Sequence, residues 1–131
     1  MQTPPPVATV SNAALWTGRV ITALPALMLL FSGAMKFSGS PEIAKGFEHL
    51  GIPLGHAAGL GTLELVCTLI YIIPRTSVLG AILLTGYLGG AIQTHVRIGE
   101  PVYTHIILGV VIWGGIFLRE PRLRALLPLK K

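Results

Sequence analysis

GHAAGLGTLELVCTLIYII, residues 55–73, is a largely apolar run that contains one charged side chain, Glu64. An α-helix of this length measures roughly 28 Å at about 1.5 Å per residue, which matches the hydrocarbon core of a bilayer. Pro74 follows directly and stops the helix, because proline lacks a backbone N–H and clashes with the preceding turn. The run therefore predicts a helix that crosses a membrane.

Apolar runs of similar length flank this stretch along the chain. The first begins near Ser11 or Asn12, either of which fits as its N-cap, and Pro25 is expected to kink it. The connector between the second and third runs, IPRTS, is long enough only for a turn, so these two helices are predicted to be antiparallel neighbours. The predicted spans are residues 11–37, 55–73, 77–96 and 102–118.

The segment between the first two spans is more polar and predicts a short helix. Ser40 is its candidate N-cap, Pro41 fits its first position, and Gly51 is a typical residue to end it. One face of this helix is apolar, so it is predicted to lie in the membrane interface. The predicted fold is all-α: a disordered arm over residues 1–12, then an integral membrane four-helix bundle over 13–128 with this interfacial helix between spans one and two.

The composition supports a membrane location. Hydrophobic residues make up 52% of the 131 residues and charged residues 11%, whereas a soluble domain of this size needs far more charge. The net charge of +5 does not indicate nucleic-acid binding, because five of the ten basic residues cluster in the last thirteen positions, where they suit anionic lipid. The single cysteine, Cys67, excludes an intrachain disulfide and a CxxC redox pair.

Basic residues near the helix ends indicate the orientation. Four spans place both termini on one side, and seven basic residues fall on that side against three on the other. Because basic residues accumulate in cytoplasmic segments, both termini are predicted to be cytoplasmic.

Glu64 is the most informative candidate site residue. A carboxylate in the middle of a span is costly unless it is protonated, paired or near water, so Glu64 is predicted to face other helices. Ala57, Gly61, Thr68 and Tyr71 recur on the same helix face. Two interpretations stay open: Glu64 carries protons or accepts a hydrogen bond from a ligand, or it belongs to a buried structural pair.

Lys36, at the end of the first span, is the predicted partner of Glu64, because its long side chain can bend inward. The alternative is that it extends towards the lipid headgroups. The residues that share its helix face are Arg19, Thr22, Ala26 and Gly33.

The third span contains a G-x-x-x-G motif over residues 86–90, and Gly89, Gln93 and Arg97 continue along one face. Small residues let backbones approach closely, and Gln93 is predicted to hydrogen-bond across helices. His95 lies about 200° around the helix from Gln93, so it is predicted to face the interface or the loop.

His95 and His105 lie on adjacent predicted helices. They lack the i, i+3 or i, i+4 spacing of a specific metal or haem site, and no cysteine or aspartate accompanies them, so the pattern argues against haem or a metal ion. Proton exchange or a hydrogen bond to a polar ligand head suits them better, because histidine titrates near neutral pH.

The polar residues predict a pocket near the outward ends of the helices. Its charged rim is expected to contain Lys36, His56, Arg97, Glu100 and His105, with Glu64 at its floor. The alternative is a tightly packed bundle whose outer polar residues contact only water and headgroups. The candidates for ligand binding or proton handling are Glu64, Lys36, Gln93, His95, His105 and Arg97.

Five segments resemble, in their order and in the length of the spans they mark, the DoxX-like family of small bacterial membrane proteins. The segments are FSGAMKF (31–37), FEHLGIP (47–53), GTLELV (61–66), LGGAIQTHVRIGEP (88–101) and HIILGVVIWGGIFLREPRLRALLP (105–128). The resemblance covers roughly residues 15–128. It implies a four-helix bundle in the bacterial inner membrane and directs attention to Lys36, Glu64 and His95.

The resemblance also implies two classes of function, since some relatives are small subunits of thiosulfate:quinone oxidoreductases, partners of thiol and superoxide defence proteins, or factors in quinone resistance. In the first, the chain is an accessory subunit that binds a quinone-like or lipid molecule between its helices and serves a membrane or periplasmic redox partner. In the second, a non-catalytic bundle, alone or as a homo-oligomer, transports an amphipathic molecule or anchors a partner. The lone cysteine and the absence of cofactor motifs argue against independent catalysis.

Overall fold

The computed structural model describes residues 9–130, which form α-helices joined by short turns, with no β-strand among them. The all-α class is confirmed. Single 3₁₀ turns over Leu54–His56 and Pro74–Thr76 lead into the third and fourth helices. The α-helices are α1 (Asn12–Met35), α2 (Pro41–Leu50), α3 (Ala57–Ile72), α4 (Ser77–Arg97), α5 (Tyr103–Arg119) and α6 (Pro121–Leu126). Residues 1–8 of the predicted arm lie outside the described residues.

The helix ends follow local sequence signals. The Ser11 side chain accepts a hydrogen bond from the backbone N–H of Ala14 at 3.2 Å, which confirms Ser11 as the N-cap of α1. Ser40 holds the N-cap position of α2, but its side chain makes no capping hydrogen bond. Gly51 ends α2 at φ 70°, a left-handed conformation that glycine adopts without steric cost.

The short helix α6 was not predicted. Glu120 precedes it, and its side chain accepts a hydrogen bond from the backbone N–H of Arg122. Pro121 occupies the first helical position, where its missing N–H has no intrahelical role. The start signal is therefore present in the sequence, directly after the last apolar run.

The four long helices pack in a ring, with α1 and α4 each contacting both α3 and α5. The predicted pairing of the second and third spans as neighbours is confirmed by the α3–α4 contact across the Pro74–Thr76 turn. The end of the ring at which α1 begins and α5 ends is here named the terminal end. The opposite end, which carries α2 and the connection between α4 and α5, is named the α2 end.

Glycines set where the helices approach closely. A Cβ at Gly80 of α4 would overlap the backbone of Tyr71 of α3, so these helices touch near the terminal end. A Cβ at Gly115 of α5 would overlap the side chain of Thr22 of α1, so these two helices are also in close contact. On the other side of α1, a Cβ at Gly61 would lie 2.9 Å from the carbonyl oxygen of Gly33.

The G-x-x-x-G segment of α4 does not pack as predicted. A Cβ added at Gly86, Gly89 or Gly90 would have no neighbouring atom within 4 Å. The reason is rotational: α4 buries the face that carries Ser77, Gly80, Ala81, Leu84 and Leu88 instead.

The outer faces of the long helices are apolar. Leu24, Phe31, Leu63 and Val110 are among the large hydrophobic side chains that stay exposed. Three helical segments are long and apolar enough to cross a membrane, and α5 is a shorter apolar helix of 17 residues. The long segments are Asn12–Met35, Leu54–Ile72 and Pro74–Arg97.

Candidate functional site

A cavity of about 570 Å³ lies between the long helices at the α2 end, and Glu64 lines it. The predicted cavity beside Glu64 is therefore confirmed. Its volume falls in the range of small-molecule sites in proteins, about 300–1,000 Å³. Apolar side chains from all four long helices and from α2 form much of the wall, among them Leu29, Phe47, Leu60, Leu63, Leu88 and Leu108.

Glu64 lies at the floor of this cavity and is 2% exposed. Its Oε2 accepts hydrogen bonds from Lys36 Nζ at 2.6 Å and from the Tyr87 hydroxyl at 3.0 Å. The predictions that Glu64 faces other helices and that Lys36 is its partner are confirmed. Lys36 also donates to the Ser32 hydroxyl at 3.1 Å, so the ammonium is held by α1 as well as by α3.

Local packing explains why this ion pair is short. Gly33 precedes Lys36 by less than one turn of α1, and Gly61 precedes Glu64 by the same interval on α3. The two helices are antiparallel, so Lys36 lies nearer the α2 end than Glu64, and its side chain reaches back past Gly61, where an added Cβ would lie 3.0 Å from the Lys36 Cβ. A larger residue at either position would push the helices apart and lengthen the pair.

The second carboxylate oxygen of Glu64 has unused hydrogen-bonding capacity. Both hydrogen bonds to the carboxylate end on Oε2, and no residue in the range 9–130 donates to Oε1. A carboxylate oxygen in an apolar cavity gains free energy from a donor, so the floor of the cavity offers an acceptor site.

Two histidines form a second polar group in the cavity wall. The rings of His95 and His105 lie with their centroids 4.5 Å apart and tilted by 47°. Nδ1 of His95 donates to the carbonyl oxygen of Ala91 at 2.7 Å, and Nε2 lies 3.8 Å from a carboxylate oxygen of Glu100. Nδ1 of His105 is buried and has no hydrogen-bond partner in the part of the chain that the structure describes.

The prediction that Gln93 faces the other helices and His95 does not is wrong. His95 lines the cavity, whereas Gln93 is exposed and lies outside the cavity wall. The angular separation of about 200° is a property of any α-helix, but it does not say which of the two side chains points inward. Tyr87, which donates to Glu64, lies on the same cavity-facing side of α4 as His95.

Arg97 and Glu100 hold α2 instead of lining the cavity. Arg97 donates to the carbonyl oxygen of Leu50 at the end of α2, where a cation also complements the helix dipole. Glu100 contacts His49 of α2, and the hydrogen bond from His49 holds the pKa of Glu100 below its usual value. His56 is exposed and also lies outside the cavity wall.

Arg19, which was predicted to share a helix face with Thr22, Ala26 and Gly33, is not buried as those three residues are. Its guanidinium lies 4.9 Å from the ring centroid of Trp16 and the residue is exposed. The buried residues of α1 are Gly18, Thr22, Pro25, Ala26, Leu29 and Gly33.

A sequence model of the DoxX-like family matches residues 20–117, from within α1 to the last turn of α5. The chain belongs to the DoxX-like family. No curated protein and no solved structure matches it. Family membership and the apolar helices together indicate that this DoxX-like protein is a small multi-pass membrane protein.

Sequence reasoning missed Tyr87, Ser32 and Phe47 in this DoxX-like protein. Tyr87 and Ser32 bind the Lys36–Glu64 pair, and Phe47 of α2 is buried against the cavity. The role of Tyr87 could have been predicted from the sequence, because a tyrosine hydroxyl buried in an apolar helix needs a hydrogen-bond partner. The role of Ser32 could not, since serine is common on any helix surface.

Within residues 9–130 of the DoxX-like protein, no group of three or more His, Cys, Asp or Glu side chains converges in a way that could hold a metal ion.

Proposed function

We propose that this DoxX-like protein binds a small amphipathic molecule, quinone-like or lipid, in the cavity beside Glu64, as an accessory subunit in membrane redox processes. The observation that carries the proposal is the apolar cavity of about 570 Å³ with a hydrogen-bonded Lys36–Glu64 pair at its floor. Apolar walls with a few convergent polar groups are typical of ligand pockets. The redox setting comes from the family.

In the proposed topology, the protein crosses the membrane four times within one domain over residues 13–128. The four spans are α1, α3, α4 and α5. At about 1.5 Å per residue, the 17 residues of α5 measure roughly 25 Å, enough for a tilted or locally thinned bilayer. The short helix α2 lies in the interface over the cavity. The basic residues at the terminal end favour cytoplasmic termini in a bacterial inner membrane.

The polar groups of the cavity suit a head group that both donates and accepts hydrogen bonds. Glu64 Oε1 is an acceptor without a donor among residues 9–130, and His105 Nδ1 is buried without a partner there. A hydroxyl of a quinol or of a lipid alcohol would donate to Oε1. Because Lys36 neutralises Glu64, the floor favours a neutral head group over a fatty-acid carboxylate.

The wall also provides a route for an apolar tail. Met28 of α1 and Leu63 of α3 belong to the wall and are 51% and 49% exposed. Side chains that touch both the cavity and the outer surface mark a lateral opening towards the acyl chains. An amphipathic ligand can therefore keep its tail in lipid while its head reaches Glu64.

The alternative function is a bundle that transports an amphipathic molecule or anchors a partner, with Lys36 and Glu64 as a structural pair. The contacts of Lys36 with Ser32 and of Glu64 with Tyr87 favour it, because they give both charged groups hydrogen-bond partners without a ligand. If the protein anchors a partner, a substitution that blocks the cavity should leave the contacts with that partner unchanged.

Mass spectrometry of lipid-soluble molecules retained through purification in mild detergent tests the proposal. Gly90 belongs to the cavity wall and Gly89 does not, and a Cβ at either position meets no atom within 4 Å. Gly90→Leu is expected to lose the retained molecule, whereas Gly89→Leu is the matched control and keeps it. Equal retention by Gly90→Leu, or no molecule enriched over detergent blanks with the wild type, removes the proposal.

A further inference from the structure

A second, smaller cavity of about 200 Å³ lies at the terminal end, between the starts of α1 and α4 and the end of α5. Arg19 of α1 and Arg119 of α5 both line it, together with the apolar side chains of Leu15, Val78 and Ile116. It lies at the opposite end of the helices from Glu64. Two cations from different helices thus border one small space.

Arg119 is held in position with part of its hydrogen-bonding capacity unused. Its Nε donates to the carbonyl oxygen of Gly115 at 3.2 Å. Its Nη2 is buried and has no hydrogen-bond partner among the described residues. A buried guanidinium N–H without an acceptor is costly, so this nitrogen favours an added acceptor.

Gly18 makes room for the Arg119 side chain. A Cβ at Gly18 would overlap Cγ of Arg119, so the glycine lets the aliphatic part of the arginine lie against α1. The direction of Arg119 is therefore determined by packing and is not that of a freely moving surface side chain.

No carboxylate neutralises these two arginines within residues 9–130. All the ion pairs found there involve Glu64 or Glu100, at the α2 end. Glu120 borders the second cavity, but one of its oxygens caps α6 at Arg122 and it forms no ion pair with either arginine. With two arginines and one carboxylate in its lining, the cavity keeps a net positive charge that favours an anion.

Arg124 shows a different use of a basic residue in the same region. It donates to the carbonyl oxygens of Phe117 and Leu118 at 2.7 and 2.8 Å, so its hydrogen bonds serve the end of α5. Arg122 is exposed and does not border the cavity. The basic tail therefore contains residues with separate roles.

We infer that the cavity at the terminal end binds a phosphate group between Arg19 and Arg119. Guanidinium groups bind phosphate oxygens through paired, charge-assisted hydrogen bonds. The phosphate comes either from the head group of an anionic phospholipid, whose chains would meet Leu15 and Val78, or from free phosphate in the adjoining water. This site is independent of the function proposed for the cavity beside Glu64.

Thermal unfolding of the purified full chain in neutral detergent tests the inference. Dihexanoylphosphatidylglycerol, dihexanoylphosphatidylcholine and inorganic phosphate are titrated separately at constant ionic strength. The phosphatidylglycerol is expected to raise Tm in a saturable way, because a ligand that binds only the folded state stabilises it. If inorganic phosphate raises Tm equally, the source is free phosphate, and if phosphatidylglycerol alone does so, it is the lipid.

Three variants separate the site from general charge effects. Arg19→Gln and Arg119→Gln are each expected to weaken the binding by about tenfold or more, since each removes charge-assisted hydrogen bonds. Arg122→Gln removes the same charge from the same end and should bind as the wild type does. Arg19 is exposed, so its substitution tests the site even if Arg119→Gln does not fold. Equal loss in Arg122→Gln, or no response of the wild type to either anion, overturns the inference.

Discussion

At the scale of single residues, the buried charge of Glu64 constrains which substitutions at the Lys36–Glu64 pair the protein can tolerate. The carboxylate is 2% exposed and Lys36 is 15% exposed, so neither is well solvated in the folded protein. A buried ion pair is close to neutral for stability as a whole, but the removal of one member leaves an uncompensated charge. Replacing one member of the pair alone is therefore expected to lower the stability of the protein more than replacing both.

Glu64→Gln is expected to destabilise the protein by about 3–5 kcal/mol, because the Lys36 ammonium loses its counter-charge in an apolar setting. The double variant Lys36→Met, Glu64→Gln should regain most of that loss. Unfolding in detergent, followed by circular dichroism, measures both. Glu48→Gln, an exposed position on α2, is the control and should have little effect.

A stable Glu64→Gln protein that has lost its retained ligand would contradict this stability prediction. It would instead assign Glu64 to ligand or proton handling, which is the other interpretation of the sequence.

The lowered pKa of Glu100, at the α2 end, predicts that the stability of the protein depends on pH. The hydrogen bond from His49 lowers the pKa of this carboxyl from its usual 4.5, so the folded state favours the ionised form. The contribution to stability is complete above pH 4.5 and is lost as the pH falls through the lowered pKa. The Tm difference between the wild type and Glu100→Gln should therefore narrow as the pH falls below 4.5. A difference that grows on acidification would contradict the prediction.

At the scale of elements, the contact between α3 and α4 depends on one glycine. A Cβ at Gly80 would overlap the backbone of Tyr71, and backbone cannot rotate away as a side chain can. Gly80→Ala is expected to cost at least about 1–3 kcal/mol through overpacking. Gly89→Ala, on the open face of the same helix, should be neutral or stabilising by up to about 1 kcal/mol. Thermal unfolding of the two variants compares them directly, and equal Tm values would contradict the assigned faces of α4.

Helix positions were largely readable from the sequence because their signals are local. Ser11, Pro41, Gly51 and Pro74 act on the backbone within a turn of their own position, and each lies at the end of an observed element. The rotation of α4 was not readable. Its apolar and small residues surround the helix, so the sequence does not distinguish the face of Gly80 from that of Gly89.

At the scale of the whole molecule, the distribution of basic residues predicts the orientation in the membrane. Seven of the ten basic residues fall on the side of the termini. A reporter that is active only in the periplasm should give no signal when it is fused after Lys131, whereas insertion after Gly99, between α4 and α5, should give one. The reverse pattern would show that the termini face outward.

The sequence by itself determined the all-α class, the lengths and order of the long helices, and the need for Glu64 to face a partner. These follow from hydropathy, from local capping signals and from the cost of a charge in hydrocarbon, which act at short range. Only the tertiary structure decided that Lys36 and Tyr87 meet at Glu64, that His95 and not Gln93 faces inward, and that Arg19 and Arg119 border one cavity. Each depends on how far and at what rotation two helices approach, and that is set by close contacts such as Gly33 with Gly61 and Gly80 with Tyr71, between residues far apart in the chain or on different helices.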